Sequence, residues 1–166
     1  MKPRIIRTVS VSPAVLTLTV SALAFSQNAT PPASEPQHVM VMPGDVGWGD
    51  GPPSLPPGSK AAVLEGDPAK AGLFTLRLQI PANYKIPAHW HPADEHVTII
   101  SGTFYMGMGD KLDESEGKPL TAGSFALMPP KTNHFAFTKT ETVIQLHGMG
   151  PWGITYVNPA DDPRKK

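Results

Sequence analysis

From Lys60 onward, short apolar runs of strand length alternate with turn residues: AAVLEG, LFTLRLQI, HVTIISG, TFYMGM, SFALM, HFAFT, TVIQLHG and WGITYV. In LFTLRLQI the apolar Leu73, Leu76, Leu78 and Ile80 mostly alternate with Thr75, Arg77 and Gln79, the period of two that belongs to a half-buried strand. Runs of this length and spacing predict an all-β sandwich or barrel. No stretch carries helical apolar spacing for long enough to predict a helix, and no internal repeat is present. The segment GDKLDESEGKP over 109–119 is charged and turn-rich, and is expected as a solvated loop between two strands.

Upstream the pattern changes. The stretch 38–59 holds one short apolar run, VMVM, followed by MPGDVGWGDGPPSLPPGS, whose prolines and glycines exclude a long regular element. It reads as an arm over 37–59 that packs on a barrel spanning 60–158, with Trp48 as its buried anchor and a C-terminal tail over 159–166. Residues 27–36, QNATPPASEP, are polar and proline-rich and are expected as a disordered lead-in. The first 26 residues place Lys2, Arg4 and Arg7 before an apolar run from Val9 to Phe25 and then small residues, the order of a secretory leader. Cleavage after Ser26 fits small residues at Ala24 and Ser26, and Ala22 or Ala24 would serve as well. A membrane anchor is the alternative, but the run is short and is interrupted by Ser12, Pro13, Thr17 and Thr19. A secreted or periplasmic protein, with no stable membrane insertion after cleavage, is the expectation.

Composition narrows this picture. The chain has 166 residues with 20 prolines and 15 glycines, which points to one loop-rich domain rather than a helical bundle. Its 14 basic and 14 acidic residues balance, which argues against a nucleic-acid partner. Loss of the leader would remove Lys2, Arg4 and Arg7 and no acidic residue, leaving a mildly acidic protein. There is no cysteine, so stability in an oxidising compartment must come from a packed core and from any metal bound.

The candidate chemistry is concentrated in HWHPADEH, residues 89 to 96. His89 and His91 are two apart and share one side of an extended strand, with Trp90 on the other. Pro92 ends regular pairing. If Glu95 opens the returning strand, it shares a face with Val97 and Ile99, while His96 shares the opposite face with Thr98. Glu95 can then join the two imidazoles, leaving Asp94 and His96 as bystanders. A third imidazole is available from His134, which follows the Pro129-Pro130 turn. His89, His91, Glu95 and His134 would form a set of three imidazoles and one carboxylate, suited to one divalent transition metal per chain. Along TVIQLHG, Gln145 and His147 either line the pocket or lie outside it with Ile144 and Leu146 buried. If His147 faces inward, it is a candidate fourth imidazole in place of Glu95. Tyr105, Gln145 and His147 are therefore possible pocket residues. Phe104, Met106 and Met108 share the face opposite Tyr105, where the methionines read as core rather than as copper ligands. His38, in the arm, is assigned no role.

At these positions the sequence resembles the cupin superfamily, whose first motif is G-x5-H-x-H-x3-E-x6-G and whose second is G-x5-P-x-G-x2-H-x3-N. His89, His91, Glu95 and Gly102 match the first, with Asn83 at its leading glycine. Gly123, Pro129 and His134 match the second, with Lys131 in place of its inner glycine and Thr138 in place of its asparagine. The resemblance implies a double-stranded β-helix, or jelly-roll barrel, with the metal inside. By size and motif pattern the chain is similar to small quercetinase-like cupins. With the leader, that likeness implies an exported oxidoreductase, dioxygenase- or oxidase-like, with iron or copper and with Glu95 as ligand or transient base. A small phenolic or carbohydrate substrate, or polysaccharide attacked oxidatively at copper, would suit it. The alternatives are a non-redox isomerase or lyase using manganese, nickel or zinc, and a non-catalytic binding protein. An anionic ligand would call on Arg77, Lys85, Lys131 or Lys139. A homodimer is also implied.

Overall fold

The computed structural model describes residues 38–166, so the leader and lead-in lie outside the described residues. Its strands are β1 (Gly49–Asp50), β2 (Lys60–Glu65), β3 (Gly72–Ile80), β4 (Lys85–Trp90), β5 (Glu95–Ser101), β6 (Thr103–Met108), β7 (Lys118–Thr121), β8 (Phe125–Met128), β9 (His134–Thr138), β10 (Thr142–Gly150) and β11 (Thr155–Tyr156). They form two antiparallel sheets, ordered β1-β2-β3-β10-β5-β8 and β11-β4-β9-β6-β7. Period-two burial puts Leu76, Leu78, Ile80, Val97, Ile99, Ile144 and Leu146 on the inner face of the first sheet, against Ile86, Phe104, Met106 and Ala136 of the second. The result is an all-β jelly roll with helical content, among the described residues, limited to short 3-10 turns.

Two strands carry little apolar alternation. In β4, KIPAHW, the periodicity is obscured by Pro87 and His89. In β7, KPLT, the strand is a sheet edge, where a proline costs no ladder hydrogen bond. The run WGITYV contributes only Thr155–Tyr156.

One expectation needs correction and two gain detail. The charged segment 109–119 is largely exposed between β6 and β7, as expected, but it contains a 3-10 turn at Glu114–Glu116, and its Leu112 packs on Ala88, Phe135 and Phe137 behind the second sheet. Gly117 is required there, since a Cβ would lie 2.4 Å from the Phe137 ring. This cover explains why all five residues of β9 are buried. In the arm, Trp48 is only half-buried, and the residue that enters the main core is Leu55. The tail folds into 3-10 turns at Pro159–Asp161 and Pro163–Lys165, and buried Asp162 accepts from Arg164 Nε at 2.7 Å.

Candidate metal centre

Each ligand position follows from strand parity and one irregularity. β4 and β9 pair at Ile86↔Ala136 and at His89↔His134, with a register shift between them. That bulge lets Ile86 and His89, three residues apart, both face the interior, while Ala88 turns to the outer cluster. His91 follows the strand end, and Lys131 N donates to its carbonyl at 2.8 Å. Glu95 opens β5 with its side chain inward, on the same face as Val97 and Ile99.

The turns that hold these strands use unusual backbone. Asn83 and Lys131, the two positions where the motifs carry glycine, adopt φ of 58° and 60°. Asparagine tolerates this left-handed region, whereas lysine is strained in it. Thr138, in place of the motif's asparagine, donates to Pro81 O at 2.6 Å and accepts from Tyr84 N at 3.2 Å, which fixes the turn leading into β4.

The imidazoles are oriented by backbone carbonyls. His89 Nδ1–H donates to Pro87 O at 2.7 Å, His91 Nδ1–H to Gly153 O at 2.7 Å, and His134 Nδ1–H to Thr132 O at 2.9 Å. A carbonyl can only accept, so the proton sits on Nδ1 and each neutral ring carries its lone pair on Nε2. The three rings cluster, with centroids 4.2 to 5.3 Å apart, and one ligand atom from each lies within 4.8 Å of the others. Glu95 completes the group: Oε1 is 3.5 Å from His91 Nε2 and Oε2 is 3.2 Å from His134 Nε2. All four side chains are buried, and His91 Nε2, His134 Nε2 and Glu95 Oε2 have no hydrogen-bond partner.

Bare acceptors facing one another in a buried site call for a cation between them, either a proton or a metal. The protonation balance shows the same demand. Burial drives the His89 pKa down to about 3, with the charges of His134 and His91 adding to the effect. Burial also lowers His91. Burial alone would raise Glu95, but the close contact with His134 and the charges of the nearby imidazoles outweigh it and hold the carboxyl at about 2. For His134 burial again opposes charge, yet the Glu95 carboxylate wins and raises its pKa. With a metal displacing the His134 proton, three neutral imidazoles and one anionic carboxylate, pinned from behind, fit a divalent transition metal.

Beside this group lies a cavity of about 60 Å³. Leu76, Leu78, Phe104, Met106, Ile144 and Leu146 supply hydrocarbon walls, and outside the His/Glu group the polar lining side chains are Ser54 and Trp152, whose indole N–H is buried without a partner. Trp152 stacks on His91, with centroids 4.2 Å apart and planes at 12°, and also packs on Phe74.

The other proposed pocket residues lie elsewhere. Gln145 and His147 are on the outer face of the first sheet, because Ile144 and Leu146 take the inward positions of β10. There Gln145 accepts from Arg77 Nε at 3.0 Å, and His147 stacks on His96 at 4.7 Å, so His147 is no fourth ligand to this group. Tyr105 stacks on Phe137 behind the second sheet, with the Lys139 ammonium 4.9 Å from its ring, because Phe104 and Met106 occupy the inner face. Arg77, Lys85, Lys131 and Lys139 do not line the cavity, and Lys85 pairs with Glu114 at 2.7 Å. Asp94 and His38 are exposed. Sequence reasoning missed Trp152, Leu55 and the Gly153 carbonyl. Only Trp152 gave a signal, as an aromatic next to glycine in a run otherwise read as strand.

A two-sheet jelly roll with this buried histidine and carboxylate group defines a cupin. The ChrR cupin-like domain model matches residues 36–152, and the chain belongs to that family. No match was found among curated proteins. Among solved structures, the chain is similar to the polyketide cyclase RemF from Streptomyces resistomycificus, at 14% identity over 78% of this chain and 92% of that one, with a TM-score of 0.60. It is similar to a proposed acetylacetone dioxygenase from Methylibium petroleiphilum PM1, at 20% identity over 79% and 88%, with a TM-score of 0.59. It is also similar to an RmlC-like cupin from Shewanella frigidimarina, at 17% identity over 67% and 89%, with a TM-score of 0.52. At these identities the likeness speaks for the fold alone.

Proposed function

We propose that the protein is an exported, metal-dependent oxygenase or oxidase acting on a small, mostly apolar phenolic molecule. The observation that supports this reading best is the set of buried, partnerless lone pairs opening onto a cavity whose remaining walls are mostly hydrocarbon. Iron or copper held by His89, His91, His134 and Glu95 would supply electron transfer with dioxygen and a Lewis acid for a phenolic oxygen. The chain's own part is positional and protective. Leu76, Phe104 and Ile144 exclude water from the reacting space. Glu95, held as the carboxylate, offers Oε2 as acceptor for the phenolic proton. A carbohydrate would leave most of its hydroxyls without partners against this lining, and a cavity of about 60 Å³ does not hold a polysaccharide, so a phenolic is favoured over both.

The test is metal analysis of chelator-free protein followed by oxygen-consumption assays with phenols. About one equivalent of iron or copper, lost in His134→Ala, and oxygen-dependent turnover are expected. Turnover that is unchanged without oxygen and retained with zinc would replace this reading with lyase or isomerase chemistry. Export through residues 1–26 belongs to the same proposal, and mature protein beginning at Gln27 is the expected result of N-terminal sequencing. So does a homodimer: Leu73, Phe125, Leu127 and Met149 leave an exposed apolar patch on the outer face of the first sheet. Light scattering should give twice the chain mass.

A further inference from the structure

The segment GPPSLPPGS, residues 51–59, places one large apolar residue between two proline pairs. Each proline fixes its own φ, so the loop has few alternative shapes to lose on folding. Its base is closed by Gly51 N donating to Ser59 O at 2.9 Å, and its tip by Leu55 N donating to Pro52 O at 2.9 Å. Gly51 has no substitute at this closure: a Cβ would lie 2.1 Å from Ser59 Oγ.

Two tyrosines of the barrel grip the loop on either side of its apolar residue. Tyr156, on β11, donates its hydroxyl to Ser54 O at 2.8 Å. Tyr84, just before β4, donates to Pro56 O. Burial raises the pKa of both phenols, so both remain donors at any physiological pH. With its neighbours' carbonyls held, Leu55 projects into the barrel, where it is 9% exposed, joins the main core and lines the metal cavity together with Pro52 and Ser54.

We propose that Leu55 is the size-selecting wall of the metal cavity, so that the N-terminal arm rather than the barrel decides how large an apolar ligand can enter beside the His/Glu group. This rests on the reading of the cavity as a site for small phenols and names the residue that sets their length. The geometry gives the loop a specific mechanical role. Leu76, Leu78, Phe104, Met106, Ile144 and Leu146 are strand residues locked in two sheets, and Trp152 is packed between His91 and Phe74, whereas Leu55 is carried by a loop held by two tyrosine hydroxyls and its own apolar contact. A change at this position alters cavity length without altering a strand or a metal ligand.

The experiment measures binding of a 4-alkylphenol series, from phenol to butylphenol, to zinc-loaded protein by calorimetry. It compares wild type with Leu55→Ala, Leu55→Phe and the control Leu127→Ala on the outer face, and determines zinc stoichiometry for each. Leu55→Ala is expected to move the affinity optimum to a longer alkyl chain, with about tenfold tighter binding of the longest members, since each newly buried methylene adds about fourfold. Leu55→Phe should move the optimum to shorter chains, which keeps the idea testable if the alanine variant folds poorly. Leu127→Ala should match wild type. An unchanged optimum in both Leu55 variants, with zinc bound and phenols still binding, overturns the selecting role alone. Absence of binding by every phenol to every zinc-loaded form overturns that role together with the phenolic reading.

Discussion

Replacing Glu95 by glutamine should have opposite effects on the protein with and without metal. The two side chains have the same shape, but the amide supplies a donor where the carboxylate has an acceptor. Above the His134 pKa, the metal-stripped wild type holds Glu95 Oε2 and His134 Nε2 3.2 Å apart with no donor between them. The amide can donate to that Nε2, and the buried charge disappears, so the stripped variant should gain about 1–3 kcal/mol over wild type at alkaline pH. With metal the sign reverses. Structural zinc sites bind with about 10–16 kcal/mol across four ligands, so one ligand is worth on the order of 3 kcal/mol, or about a hundredfold in Kd. The pH dependence follows from His134. Burial opposes its charge but the carboxylate overcomes this, so its folded pKa lies above the unfolded value of 6.5. That contribution is complete below about pH 6.5 and is lost as pH rises through the folded pKa. The wild type should therefore lose this stabilisation on going from about pH 6 to about pH 9, whereas the variant, without the carboxylate, should not. Urea unfolding of chelator-treated protein at the two pH values, with a zinc competition titration, provides the measurement. A variant less stable than wild type at alkaline pH, or one that binds zinc with undiminished affinity, would refute the facing-acceptor account.

Lys131→Gly should stabilise the protein by about 0.5–1 kcal/mol in chemical denaturation, because φ of 60° strains a lysine and not a glycine. Trp152→Phe should keep the copper stoichiometry while losing most of the quenching of tryptophan emission on copper addition, since Trp152 is stacked 4.2 Å from His91; a fluorescence titration decides it. Gly107→Ala should cost about 1–3 kcal/mol by thermal unfolding, because its Cβ would lie 2.2 Å from the ring of the buried Phe135 in β9.

What the sequence revealed about this site, and what it hid, divides according to the range of the interaction responsible. Along β5, simple alternation was enough to put Glu95 with Val97 and Ile99 and to send His96 to the other face. Along β10, alternation alone left two faces open for Gln145 and His147, and the choice was made by partners on β3 and β5 that bury Ile144 and Leu146 between the sheets. In β4 the period fails, because the bulge between Ile86 and His89 shifts the inward positions by one residue at a proline. Motif spacing located His89 where periodicity could not. The loop 51–59 carries no local signal that Leu55 faces the cavity beside the His/Glu group. Its position is set by hydroxyls 28 residues away in Tyr84 and 102 residues away in Tyr156, contacts that exist only once the second sheet has formed. The same separation shapes the chemistry. Two of the candidate ligands, His89 and His134, are held by carbonyls two residues away, which fix tautomer and ring angle whatever the loop does, while His91 is held by Gly153 O, 62 residues away. The cavity beyond them is bounded by a long-range clasp that sequence change can alter without touching a ligand. On the proposed role of Leu55, a barrel organised this way would keep one His/Glu group while its ligand preference drifts through the arm, which is the condition under which a shared fold carries many different activities.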